Sequence, residues 1–210
     1  MPTAEETAFM NDPAAFMRDN IIRVVCGKQH AGTYNFSLVQ DNTVLARKKN
    51  RRGRAIGYFK LQQNDSGDIP MHFLPYQDNG VREMTLPVAN DTPDLMVTVN
   101  LNGCSFGFAQ TNQYTGAYVT HHNDRAHGND PTIIEEQKIN NPFDATFRYF
   151  HQTGYRKVRG GTVDQRYQAT IVGKRDVNNR WHFYCQFRKD LMADKQRAFW
   201  TLKGVKEINP

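Results

Sequence analysis

The chain has 210 residues, 39% of them hydrophobic and 23% charged. That composition belongs to a globular domain and excludes collagen-like, coiled-coil and fully disordered architectures. No apolar run approaches the roughly 18 residues that a membrane-spanning helix needs. The 27 Lys and Arg outnumber the 21 Asp and Glu, for a formal net charge of +6. This balance favours an acidic partner, whether nucleic acid, membrane surface or protein, without selecting one. Cys26, Cys104 and Cys185 are odd in number and far apart. They form neither a disulfide framework nor a CxxC motif, and they fit a reducing compartment. Residues 1–19 lack the apolar core of a secretory signal, so export, if it occurs, is expected by another route.

In chain order, residues 1–11 read as a loose acidic lead-in. Asp12-Pro13 is an N-cap followed by proline, which predicts a short helix over residues 13–20. IIRVVC at 21–26 is β-branched and predicts a strand. Short strands follow at 33–38, 43–46, 55–62, 95–101, 106–109 and 117–121, separated by Gly and Asn/Asp clusters. Helical turns are predicted at 131–138 and 144–152. Residues 165–173 and 180–188 read as a hairpin around 176–179, with a closing strand at 198–202. Strands at this spacing with few helices predict one α+β, mostly β domain over 1–210: a β-sandwich of mixed sheets with a few flanking helices.

Several stretches have unremarkable readings. Arg47, Lys48, Lys49, Arg51, Arg52 and Arg54 form the densest charge run. It reads first as a solvated hairpin loop, and otherwise as an electrostatic footprint for nucleic acid or an acidic protein surface. His121, His122, His127 and Cys104 suggest a metal only superficially, because adjacent residues on a strand point to opposite faces. No metal or other cofactor is expected. Glu135-Glu136 reads as an exposed helical turn, and Gly160-Gly161 lacks the lysine-hydroxyl pair of a phosphate loop. Cys26 and Cys185 sit among apolar, β-patterned residues and read as small hydrophobes.

The stretch that suggests chemistry is TVNLNGC at 98–104. A strand running into Asn102-Gly103 puts Cys104 at a sharp turn, where glycine permits positive φ and backbone amides are available to an oxyanion. Cysteine is mostly protonated at neutral pH, so it needs a base or a positive neighbour. The strand ending in His121-His122 supplies one, 17 positions on, enough for a strand, a turn and a returning strand. On the alternation of strand faces His121 is preferred, with His122 as the alternative.

Thr98, Leu101, Asn102, Gly103 and Cys104, followed by a strand ending in histidine, resemble the catalytic core of the bacterial glutamine-deamidase toxin family. That family includes the cytotoxic necrotizing factor catalytic domain and Burkholderia lethal factor-like proteins. The similarity covers about 30 of the 210 residues, and Asn102 replaces the serine usual before Gly-Cys. The resemblance implies a Cys104–His121 pair oriented by the backbone carbonyl of Thr98, whose side chain would then matter less. It implies conversion of a glutamine of a host protein to glutamate through a thioester. Family targets are Rho-family GTPases in one branch and a translation-initiation RNA helicase in another, reached by a secreted or injected effector acting in the host cytosol. Two other classes remain open: a non-enzymatic basic β-rich module that binds nucleic acid or an acidic protein, and another cysteine hydrolase such as an amidase, protease or transglutaminase.

Overall fold

The structure, a computed structural model, describes residues 1–42, 55–110, 116–127, 130, 133, 147–156, 158–159, 162–163, 166–190 and 200–208. The basic run at 47–54, the strand expected at 43–46 and the Glu135-Glu136 and Gly160-Gly161 pairs lie outside those residues.

The chain begins with order rather than a loose lead-in. Helix α1 (Ala4–Asn11) opens on a capping box, in which Thr3 Oγ1 accepts from Glu6 N at 3.1 Å and Glu6 Oε2 accepts from Thr3 N at 2.9 Å. The other Glu6 oxygen accepts from Leu38 N at 3.0 Å, and Phe9 is buried. Capping, a strand contact and an apolar anchor outweigh the acidic composition that suggested disorder. Helix α2 (Pro13–Asp19) follows, with Asp12 Oδ1 capping Ala15 N at 2.8 Å.

The strands are β1 (Asn20–Val25), β2 (Gly32–Gln40), β3 (Gly57–Gln63), β4 (Ile69–Leu74), β5 (Gly80–Leu86), β6 (Leu95–Thr98), β7 (Ser105–Gln110), β8 (Ala117–Asn123), β9 (Arg148–Phe150), β10 (Val158–Arg159), β11 (Thr162–Val163), β12 (Tyr167–Arg175), β13 (Trp181–Asp190) and β14 (Trp200–Glu207). Eight form one mixed sheet in the order β1-β3-β2-β4-β6-β12-β13-β14, parallel at β1·β3 and β4·β6. Four form an antiparallel sheet in the order β5-β8-β7-β9, and β10 pairs with β11. Of the two main sheets only the larger is mixed. Residues 148–150, expected to be helical, are instead an edge strand on β7.

The two large sheets pack face to face. Phe106 and Phe108 of β7 meet Phe183 of β13 with centroids 5.4 and 5.3 Å apart. Leu86, Val119, Met96 and Ile171 share that cluster. The other face of the eight-stranded sheet is covered by Phe9, Phe16 and Met17 of the helices, packed with Phe36, Phe73, Val97 and Val172. The larger sheet is therefore apolar on both sides, which explains the unbroken burial of β6 and of most of β12.

Polar side chains complete the curl of that sheet. β1 is an end strand, and its free edge is bonded by side chains from the sheet's other arm. Ile22 N donates to Gln186 Oε1 at 2.9 Å, and Ile22 O accepts from Arg188 Nη1 at 2.8 Å and from Thr170 Oγ1 at 3.1 Å. Asn100 exchanges two bonds with Val24, at 3.2 and 3.0 Å. Every backbone group so paired would otherwise be buried without a partner. Replacing Arg188 by Ala strips donors from Ile22 O and Gln168 and leaves a cavity. The expected loss is about 2–4 kcal/mol in denaturant unfolding. A change within experimental error would show that the closure contributes nothing.

Candidate active site

Strand alternation decides which residues meet. On β6, Met96 and Thr98 point toward the smaller sheet, while Leu95 and Val97 point toward the helices. On β8, Val119 and His121 point inward, and the register pairs His121 with Phe106. Thr98 and His121 therefore face each other across the sandwich, and Thr98 Oγ1 lies 2.7 Å from His121 Nδ1. Cys104 stands two residues before Phe106, at the mouth of β7 and within the same buried cluster. The structure thus brings Thr98, Cys104 and His121 to one inner surface.

The hydrogen bonds assign the imidazole tautomer. Thr98 Oγ1 donates to Leu74 O at 2.7 Å, so its proton is spent. It can only accept from His121, which places a proton on Nδ1 and leaves the lone pair on Nε2. That Nε2 is buried and has no partner. Here the contact runs through the threonine side chain, whereas the family resemblance implied a backbone carbonyl.

Burial sets the charge states. His121 is fully buried, and its pKa is pushed down to about 3, first by burial and then by the neighbouring His122. Cys104, 8% exposed, is pushed up to about 11 by burial. Backbone amides of Asn102 and Cys104 and the charge of Arg156 oppose that rise, while Asp78 adds to it. The resting pair is a neutral thiol and a neutral imidazole, with no hydrogen bond from Cys104 to His121 Nε2. This is the reverse of the depressed thiol pKa expected of an exposed nucleophile, because apolar enclosure outweighs the nearby donors.

Asn102 and Gly103 have more specific roles than loose oxyanion donors. Gly103 takes φ of +102°, in the left-handed region. Its N–H is occupied, donating to the Tyr155 hydroxyl at 2.8 Å. Asn102 Oδ1 accepts from Arg156 Nη2 at 2.8 Å. The amides that draw the Cys104 thiol down are instead those of Asn102 and Cys104.

His122 lies on the opposite, outer face of the smaller sheet, 2.9 Å from Thr120 Oγ1 and edge-on to Tyr149 at 5.0 Å. It is separated from Cys104 by the sheet itself. His127 closes on Asp124 at 2.9 Å beyond the end of β8. The four residues considered for a metal do not converge, and among the described residues no group of His, Cys, Asp or Glu is placed to hold one. Tyr76, 47% exposed, sets its ring 6.3 Å from that of His121 and marks the rim of the site. Tyr155 and Arg156 were missed from sequence, since no motif links them to residues more than 50 positions earlier.

No helix among the described residues is long and apolar enough to cross a membrane. No family model matches the chain, and no curated protein matches it.

The depressed His121 pKa has a consequence for stability. The unfolded ring titrates near its ordinary value of 6.5 and the folded one near 3. The stabilisation is thus present above pH 6.5 and lost as pH falls toward 3, with a slope of up to about 1.4 kcal/mol per pH unit. Urea midpoints across this window should fall steeply in wild type and less steeply in His121→Gln. Equal slopes would show that the ring is not held neutral.

Proposed function

We propose that the protein is a cysteine-dependent protein-glutamine deamidase of the toxin-effector kind. One observation supports this above the others. The Thr98 hydroxyl takes His121 Nδ1–H, which leaves Nε2 as an unpartnered base on the inner surface that carries Cys104. The family resemblance of residues 98–104 points to the same reaction.

In this reading a substrate glutamine enters past the Tyr76 rim and brings polar groups that relieve the apolar enclosure. His121 Nε2 takes the thiol proton, and Cys104 Sγ attacks the carboxamide carbon. The amides of Asn102 and Cys104, which draw the thiol pKa down, stabilise the developing negative charge. The C–N bond breaks, and His121 returns its proton to the departing ammonia, leaving a thioester. His121 then draws a proton from water, whose oxygen attacks the thioester. The C–S bond breaks, glutamate is released and the thiol is restored. An amine in place of water would make the same site a transglutaminase. The substrate is a host protein, a Rho-family GTPase or a translation-initiation helicase by resemblance. The basic run at 47–54 would steer an acidic surface toward the site.

The rival reading, an inert buried thiol in a basic binding module, draws on the low exposure of Cys104. Peptide mapping of host-cell lysate separates the two. Wild type should raise the mass of specific glutamines by about 1 Da, as loss of ammonia and gain of water require, and Cys104→Ser should not. No such shift in a broad lysate would remove the deamidase reading. His122→Ala should retain activity, because its ring lies on the outer face. Thr98→Val should lose about 10²-fold or more in rate while Thr98→Ser retains most of it, since the hydroxyl sets the tautomer. If Val and Ser at position 98 behave alike, the hydroxyl is not part of the machinery.

A further inference from the structure

Beside Cys104 lies a pair of side chains that the reaction as written leaves unused. After β9, a 3₁₀ turn at Gln152–Gly154 carries the chain against the 102–104 turn. Tyr155 is buried there. Its hydroxyl accepts from Gly103 N at 2.8 Å and donates to Cys104 O at 2.9 Å. One oxygen therefore ties together the amide before the nucleophile and the carbonyl after it. With Gly103 in the left-handed region, these two bonds fix the backbone on both sides of the Cys104 side chain.

Arg156 is 7% exposed. Its Nη2 donates to Asn102 Oδ1 at 2.8 Å, its Nη1 donates to Gln152 Oε1 at 2.9 Å, and its guanidinium sits 6.0 Å from the Tyr155 ring centre. Both partners are neutral amides, and Nε is buried with no partner. No carboxylate pairs with this guanidinium among the described residues. A buried cation held by neutral groups is costly unless an anion forms beside it. Cys104 is the ionisable group it bears on: Arg156 draws the thiol down, Asp78 opposes it, and Tyr155 and His121 face the site uncharged.

We propose that Tyr155 and Arg156 are the positioning residues of the nucleophile. Tyr155 fixes the backbone around Cys104, and the buried Arg156 guanidinium supplies the positive charge that favours the thiolate. The assignment rests on the reading of Cys104 as nucleophile and extends it. The cation that supports the thiolate is an arginine 52 positions downstream, while His121 acts as a neutral base.

The test is peptide-resolved iodoacetamide alkylation of the native protein between about pH 7 and 9.5, where the rate follows the thiolate fraction. Cys185, fully buried in the same cluster, reports any loosening of the core. Arg156→Gln and Tyr155→Phe should each lower the Cys104 rate by about three- to tenfold at every pH, tenfold being one unit of thiol pKa. Arg156→Lys should restore part of the loss, and Cys185 should stay silent. A purely structural role predicts the opposite sign, because a loosened core exposes Cys104 and Cys185 together. A Cys104 rate that is unchanged in the variants, or raised along with Cys185, overturns the inference and leaves the nucleophile reading standing. Wild-type Cys104 reacting no faster than Cys185 overturns the nucleophile reading itself, and the inference with it. Tyr155→Phe removes only one oxygen, so it keeps the test available if an Arg156 variant does not fold.

Discussion

A buried imidazole has no water to choose its tautomer, so the protein must do it. Here the choice is made across the gap between two sheets. Thr98 spends its own proton on Leu74 O and is left able only to accept, which pins the His121 proton to Nδ1. Nε2 is then a lone pair in an apolar interior, with nothing bonded to it. The orientation of that base depends on the packing of the two sheets. The Phe106, Phe108 and Phe183 cluster brings β6 and β8 to the spacing at which a hydroxyl and an imidazole touch. The curl that carries β6, sealed by Gln186, Arg188, Thr170 and Asn100 on the edge of β1, holds one side of that contact in place.

Putting the pair inside has a cost and a use. Apolar enclosure drives Cys104 up to about 11 and His121 down to about 3, so neither group is charged at rest. A neutral thiol reacts little with passing electrophiles. In the proposed reaction, charge develops only when a carboxamide arrives beside the sulfur. An effector working in another cell's cytosol would gain selectivity from that arrangement. The neighbouring guanidinium of Arg156, held by neutral partners, offsets part of the enclosure exactly where the anion would form, without making the resting thiol ionise.

The inner surface was legible in the sequence where spacing carried it. Cys104 immediately precedes β7 and His121 lies on the returning β8, and period-two alternation turns both toward the inner surface. Thr98, by contrast, was singled out by the family resemblance alone and faces His121 from the other sheet. The hairpin at 176–179 was legible too, because Asp176 and Asn179 are turn residues. Asp176 Oδ1 accepts from Asn178 N and Arg180 N, and Asn179 takes φ of +62°. Helix α1 was hidden by its acidic composition, although Thr3 and Glu6 spell its capping box. Strand β4 carries Pro70 and His72 among buried residues and shows no alternation, so no periodic signal announced it. The role of the Thr98 side chain depends on Leu74 O, and the clamp of Tyr155 on Cys104 spans 51 positions. Such long-range bonds leave no local pattern, because they are set by how sheets stack rather than by neighbours in the chain.

The most direct test of the account is the tautomer and charge of His121. Two-bond ¹H–¹⁵N correlation spectra of the histidine rings resolve both. The structure predicts a protonated Nδ1 and a bare Nε2, unchanged as pH falls from neutral through the ordinary histidine pKa of about 6.5. A Cys104→Ser or Thr98→Val spectrum assigns the signal by its local shift. A ring protonated on Nε2, or one that becomes imidazolium near pH 6.5, would contradict the account, because neither leaves Nε2 as a free base at rest.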